Sequence, residues 1–122
     1  MKILLVEDSV AVRRMIKSFI ADLVDTFIEC GDGGEALDAY RQHRPDLVLM
    51  DIKMTKVGGF EATRQIKASF SEARVIIVSQ WDSPALREAA RAAGAEKYIS
   101  KADLLPLRDL IEADGGKRRM DV

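Results

Sequence analysis

Three stretches of the chain are apolar without interruption: Ile3-Leu4-Leu5-Val6, Leu47-Val48-Leu49-Met50 and Val75-Ile76-Ile77-Val78. Short aliphatic runs of this kind suit strands of a parallel sheet covered on both faces. Two more mixed stretches, Thr26-Phe27-Ile28-Glu29-Cys30 and Lys97-Tyr98-Ile99, predict strands with one side less buried, as at sheet edges. Helical spacing lies between them. Met15, Ile16, Phe19, Ile20 and Leu23 form an apolar face with Arg13, Arg14, Lys17 and Asp22 off it. Ala36, Leu37 and Tyr40 repeat the pattern in a second helix that must end before Pro45. Phe60, Thr63, Ile66, Lys67 and Phe70 mark a third. Leu86, Ala89, Ala90 and Ala93 mark a fourth, with Ser83 as N-cap, Pro84 at its first position and Gly94 as its stop. Leu107, Leu110 and Ile111 mark a fifth, with Pro106 in its first turn.

Strand and helix therefore alternate five times. Parallel strands joined by helices require right-handed crossovers, with helices on both faces. Three buried strands and two edge-like ones fit the doubly wound order 2-1-3-4-5. The expected fold is α/β, a (βα)5 doubly wound, flavodoxin-like parallel sheet. One domain is expected over residues 1–114. Residues 115–122, GGKRRMDV, are expected to leave the last helix at the glycine pair as a flexible tail or the start of a linker.

Composition narrows the class. At 122 residues the chain holds one core rather than two. It is 48% hydrophobic and 32% charged with a net charge of −1, which offers no basic surplus for direct nucleic-acid binding. No apolar run nears the roughly 20 residues that span a bilayer, so no membrane association is expected. The single cysteine, Cys30, cannot form an internal disulfide, and a reducing, cytoplasmic setting is the natural reading. Cys30 reads as a packed small side chain and His43 as a surface residue.

In an open α/β sheet, ligands bind beyond the carboxyl ends of the strands. Glu7 and Asp8 follow the first apolar run, Asp51 the second and Ser79 the third; Lys101 follows the last strand. One sheet edge thus receives three carboxylates, a hydroxyl and an ammonium. Each residue alone has a blander use, an Asp after a strand as a turn former and a Lys as a solvated charge. Their joint arrival carries the reading. Carboxylates so crowded repel unless neutralised. Mg²⁺ prefers such oxygen ligands together with waters and a phosphate oxygen. Lys101 can pair with Asp51 or with a phosphoryl oxygen. The set suits phosphoryl transfer, in which an aspartate can be the nucleophile.

These residues resemble those of receiver domains of two-component response regulators. The motifs are LLVEDS, DLVLMDIKM followed by GG and FEATRQIK, VIIVS, and GAEKYISK, and the likeness runs from residue 2 to about 112. The resemblance implies that Asp51 accepts a phosphoryl group from a phosphohistidine on a sensor histidine kinase or histidine phosphotransfer protein. It implies Mg²⁺ held by Asp8 and Asp51, with Glu7 nearby through water and the Lys53 main-chain carbonyl completing the protein ligands. Ser79 and Lys101 would each contact a phosphoryl oxygen. Tyr98 would be an aromatic switch, with output on a surface of helix four, strand five and helix five. The implied partners are a downstream protein or output domain and, on phosphorylation, a second copy. The KADL after strand five resembles receivers attached to helix-turn-helix output domains. The chain departs from the family pattern at Thr55, where Pro is common after the Met, and at Gln80, Lys97 and Ala102.

Three other readings fit less well. An aspartate-nucleophile phosphatase needs a second Asp two residues after the first, where this chain has Lys53. A flavin-binding module needs a Ser/Thr/Gly-rich loop after strand one, where this chain has Glu7-Asp8-Ser9-Val10-Ala11. A degenerate receiver serving only as a binding module would not need all five site residues, although Gln80 and Thr55 are compatible with it.

Overall fold

The computed structural model describes residues 1–54 and 56–120, with the side chains of 116–120 left aside. Among the described residues, five parallel strands form one sheet: β1 (Lys2–Val6), β2 (Thr26–Cys30), β3 (Leu47–Met50), β4 (Val75–Ser79) and β5 (Lys97–Ser100). Their order is β2-β1-β3-β4-β5. The helices are α1 (Val10–Ile20), α2 (Ala36–His43), α3 (Gly59–Ser69), α4 (Pro84–Ala93) and α5 (Leu105–Met120). This is the doubly wound flavodoxin-like fold expected, with the two mixed strands at the edges.

Alternation along each central strand divides the core into two. Leu4, Val6, Val48, Met50, Val75 and Ile77 face α2, α3 and α4, where they meet Tyr40, Ala62 and Ile66. Ile3, Leu5, Leu47, Leu49, Ile76 and Val78 face α1 and α5, where they meet Ile16, Ile20, Leu107 and Ile111. Both faces being covered, β1, β3 and β4 could not alternate apolar with polar. Each buried aliphatic side chain contributes about 1.5–3 kcal/mol relative to exposure.

Local chemistry sets the helix ends. Ser9 caps α1 by accepting from the Val12 N–H at 3.3 Å, and Ser83 caps α4 by accepting from the Leu86 N–H at 3.1 Å. Gly94 ends α4 at φ 106°, a left-handed conformation costly for other residues. Arg44 ends α2 at φ 46°, one residue before Pro45.

Two expectations are corrected. Met15 and Phe19 do not join the core; they are 43% and 36% exposed. The α1 stripe that meets the sheet runs Val12, Ile16, Ile20 at four-residue spacing, and Met15 and Phe19 fall one position round from it. Nor does the glycine pair stop the last helix: α5 continues through Gly115 to Met120. A helical glycine costs about 1 kcal/mol but does not block the ladder. Arg74 also anchors the helix just before it, with Nη1 2.8 Å from Asp114 Oδ1. Thr55, one of the departures from the family pattern, lies outside the described residues, as do Asp121 and Val122.

Candidate functional site

The register brings the strand ends level. The Asp51 N–H donates to the Val6 carbonyl at 3.0 Å, tying β3 to β1, and the Lys101 N–H donates to the Ser79 carbonyl at 2.8 Å, tying β5 to β4. The residues that follow each strand therefore meet at one edge, as the sequence predicted. Glu7, Asp51 and Ser79 are buried there at 2%, 8% and 0% exposure; Asp8 is exposed.

Lys101 bridges the acids. Its Nζ donates to Glu7 Oε1 at 2.6 Å and to Asp51 Oδ1 at 3.0 Å. The other Glu7 oxygen accepts the Ser9 N–H at 3.0 Å. Burial pushes the Glu7 carboxyl above its usual range, against the opposing pull of Lys101 and the Ser9 N–H. Burial also raises Asp51, again opposed by Lys101, while the Asp8 charge adds to the rise. For Lys101, burial disfavours the ammonium, but hydrogen bonds and charges from Glu7 and Asp51 outweigh it and raise its pKa. One ammonium thus serves two buried carboxylates beside a third carboxylate.

The donor set fits a hard divalent cation. One carboxylate oxygen from each of Glu7, Asp8 and Asp51 lies within 4.8 Å of the others. Oxygen ligands of that number and charge match Mg²⁺, which keeps several waters and uses few carboxylates.

Around this cluster the other candidates divide. The Ser79 hydroxyl oxygen accepts the Trp81 N–H at 3.0 Å. The Trp81 carbonyl accepts the Tyr98 hydroxyl, so a single residue touches both Ser79 and Tyr98. Arg87 lies over the Tyr98 ring at 5.1 Å. The Lys53 side chain is not among the carboxylates; its Nζ stands 4.9 Å from the Trp81 ring centre. Gln80 is exposed. Among the described residues no peptide bond is cis, Lys101–Ala102 included.

Gly59 belongs to the site for a reason the sequence did not show. Its N–H donates to the Ile52 carbonyl at 2.8 Å. A Cβ on Gly59 would sit 1.9 Å from the Asp51 carbonyl oxygen. Neither Gly58 nor Gly59 takes a left-handed conformation, so the glycine serves close approach of α3 to the Asp51 backbone rather than backbone freedom.

Fold and site together define an α/β domain with an acidic, lysine-bridged centre at the carboxyl edge of a parallel sheet. The chain belongs to the response regulator receiver domain family, whose model it matches over residues 3–112. It is 35% identical over 101 residues to the chemotaxis protein CheY of Bacillus subtilis, covering 82% of this chain and 84% of that one. A solved LuxR-family two-component response regulator from Aurantimonas sp. SI85-9A1 superposes with a TM-score of 0.85 at 34% identity, covering 95% of this chain and 85% of that one. CheY of Borrelia burgdorferi, solved with CheX, BeF3 and Mg²⁺, superposes with a TM-score of 0.82 at 27% identity, covering 93% and 88%. The chain is thus a receiver domain of two-component signalling rather than a conventional enzyme.

Proposed function

We propose that Asp51 is the phosphoacceptor and that its phosphorylation switches a protein-interaction surface. A carboxylate oxygen of Asp51 attacks phosphorus on a phosphohistidine of a sensor histidine kinase or phosphotransfer protein. The P–N bond breaks, the imidazole leaves with the bonding pair, and an acyl phosphate forms on Asp51. Glu7, Asp8 and Asp51, with the Lys53 carbonyl, would hold Mg²⁺, which supplies charge neutralisation for the carboxylates and phosphoryl oxygens. Lys101 would turn to one phosphoryl oxygen and the Ser79 hydroxyl to another. The observation that carries this reading is the Lys101 ammonium seated between buried Glu7 and Asp51. The Mg²⁺ and BeF3 in the Borrelia burgdorferi CheY structure support it by analogy.

The output would run through Tyr98 to a face made by α4, β5 and α5, meeting a downstream protein, an output domain or a second copy of the chain. No described helix is long and apolar enough to cross a membrane, and a cytoplasmic role is proposed on family grounds. The phosphatase alternative is weakened by Lys53, which stands two residues after Asp51 where a second acid would be needed and turns its ammonium to the Trp81 ring.

The test is intact-protein mass after incubation with Mg²⁺ and acetyl phosphate. The expected result is one added phosphoryl group, absent from Asp51→Asn. A full-length modification that persists in Asp51→Asn would assign the acceptor elsewhere.

A further inference from the structure

Asp8 is the exposed member of the acidic set, and its placement depends on the turn between β1 and α1. A side chain that the phosphoryl chemistry does not use braces that turn. Arg13, on the first turn of α1, reaches back and donates from Nη1 to the Glu7 carbonyl oxygen at 2.6 Å. That oxygen belongs to the peptide joining Glu7 to Asp8, so the contact fixes the plane from which Asp8 projects. On the other side of Glu7, its N–H is held by the Cys30 carbonyl at 3.0 Å.

Arg13 is itself aimed from the edge strand. Its Nε lies 3.2 Å from Glu29 Oε1 on β2, an ion pair without hydrogen-bond geometry. Lys17 Nζ takes the other Glu29 oxygen at 2.9 Å. A simple staple between α1 and β2 would add little at so exposed a carboxylate and would need no contact with the Glu7 carbonyl. A charge-assisted bond into the ligand-bearing turn does something more specific. The guanidinium can serve a carbonyl and a carboxylate from separate nitrogens, which the single ammonium of a lysine cannot.

We propose that Arg13 is a positioning residue for divalent-cation binding: it holds the Glu7–Asp8 peptide, and Glu29 orients it. The proposal rests on Glu7, Asp8 and Asp51 being the cation site. Groups that support metal ligands typically change metal affinity by about 10–100-fold.

The test uses Mn²⁺ as an oxygen-ligand probe, followed by the free-ion electron paramagnetic resonance signal and competed with Mg²⁺, with no phosphodonor present. Arg13→Met is expected to bind about tenfold more weakly while melting cooperatively, and Arg13→Lys to fail to restore affinity. Glu29→Gln should weaken binding in the same direction by less, and the double variant should bind no more weakly than Arg13→Met, as for residues acting through one contact. Affinities within twofold of wild type in cooperatively melting variants would overturn the proposal, and so would additive losses in the double variant. If Arg13→Met does not fold, Glu29→Gln decides, since its carboxylate is partly exposed; unchanged affinity there overturns the proposal. A wild-type protein with no saturable Mn²⁺ binding would remove the cation site itself and this inference with it. Saturable wild-type binding with unaffected variants removes the inference alone.

Discussion

Replacing Lys101 with methionine tests the electrostatic design of the site directly. Methionine keeps most of the side-chain volume but leaves Glu7 and Asp51 as neighbouring buried carboxylates with no counter-charge. Their side chains are 3% and 10% exposed, and that of Lys101 is 12% exposed, so water screens little of the change. Removing one partner from a buried ion pair costs about 3–5 kcal/mol. Unfolding entropy near 60 °C is about 2.1 cal/mol/K per residue, or about 0.26 kcal/mol/K for 122 residues. A loss of about 3 kcal/mol therefore lowers Tm by about 12 °C at pH 7.5 without divalent cation. The deficit must depend on pH. Both carboxyls already have raised pKa values when folded, and losing Lys101 raises them further. A raised carboxyl stabilises the fold below the unfolded range near pH 4 and loses that contribution as pH rises through its folded pKa. Each pH unit descended within that window returns up to about 1.4 kcal/mol per proton bound. At pH 5 the gap between Lys101→Met and wild type should therefore shrink to a few degrees. Calorimetry or circular dichroism melts at the two pH values read this out. A deficit under 3 °C at pH 7.5, or equal deficits at both pH values, would refute the reasoning; the latter would mean lost packing rather than unpaired charge.

Gly59→Ala should destabilise by about 3 kcal/mol, the upper end of overpacking costs, because the new Cβ meets the Asp51 carbonyl oxygen and must displace backbone. Urea unfolding checks the cost, and phosphorylation by acetyl phosphate should slow in parallel. Gly115→Ala should do the opposite, stabilising by about 0.5–1 kcal/mol, since nothing lies within 4 Å of its Cβ position and α5 is helical there. A lowered urea midpoint would contradict a helix through that residue. The Cys30 thiol, pushed up to about 11 by burial and then by the nearby Glu35 and Asp32 charges, should resist a disulfide reagent at pH 8 in the native protein and react promptly in urea. Because its folded pKa is raised, its contribution to stability is lost as pH climbs from about 9 toward 11.

The parts of the fold legible in the sequence were those where burial leaves no choice. Val48 and Ile76 have to be apolar because helices cover both sheet faces, so β1, β3 and β4 read as unbroken runs. The acids were legible because doubly wound sheets present chemistry at their carboxyl edge, where Asp51 and Ser79 stand at the ends of runs. What escaped depended on partners far along the chain. Glu7 and Lys101 are 94 residues apart, and only the folded geometry makes Glu7 the nearer acid to that ammonium. Met15 and Ile16 are adjacent and equally apolar, and a hundred degrees of helix rotation decides which one meets the sheet. The Gly115-Gly116 pair reads as a stop by propensity, but an anchored helix tolerates that cost. Gly59 stands in the sequence only as part of the GG motif, whereas its requirement comes from the Asp51 carbonyl packed against it.

The same geometry explains how a small chemical event at Asp51 would reach a surface. The cluster has more negative than positive charge, and Lys101 divides its ammonium between two acids. A phosphoryl group on Asp51 would bring new oxygens that compete with Glu7 for that ammonium. Lys101 directly follows β5, and Tyr98 lies three residues earlier on the same strand, so a shift of the lysine bears on the strand that carries the tyrosine. A second route is shorter. Drawing the Ser79 hydroxyl toward a phosphoryl oxygen would disturb its bond from the Trp81 N–H, and the carbonyl of that same residue holds the Tyr98 hydroxyl. Both routes end at Tyr98, whose ring is also faced by Arg87 of α4. The Tyr98 ring is partly buried and packs against the core, while its tip is held by the Trp81 carbonyl and faced by Arg87. For Tyr98 to act as the proposed switch, a second arrangement of this side chain would have to lie within a few kcal/mol of this one, the scale on which a single phosphoryl group can bias an equilibrium.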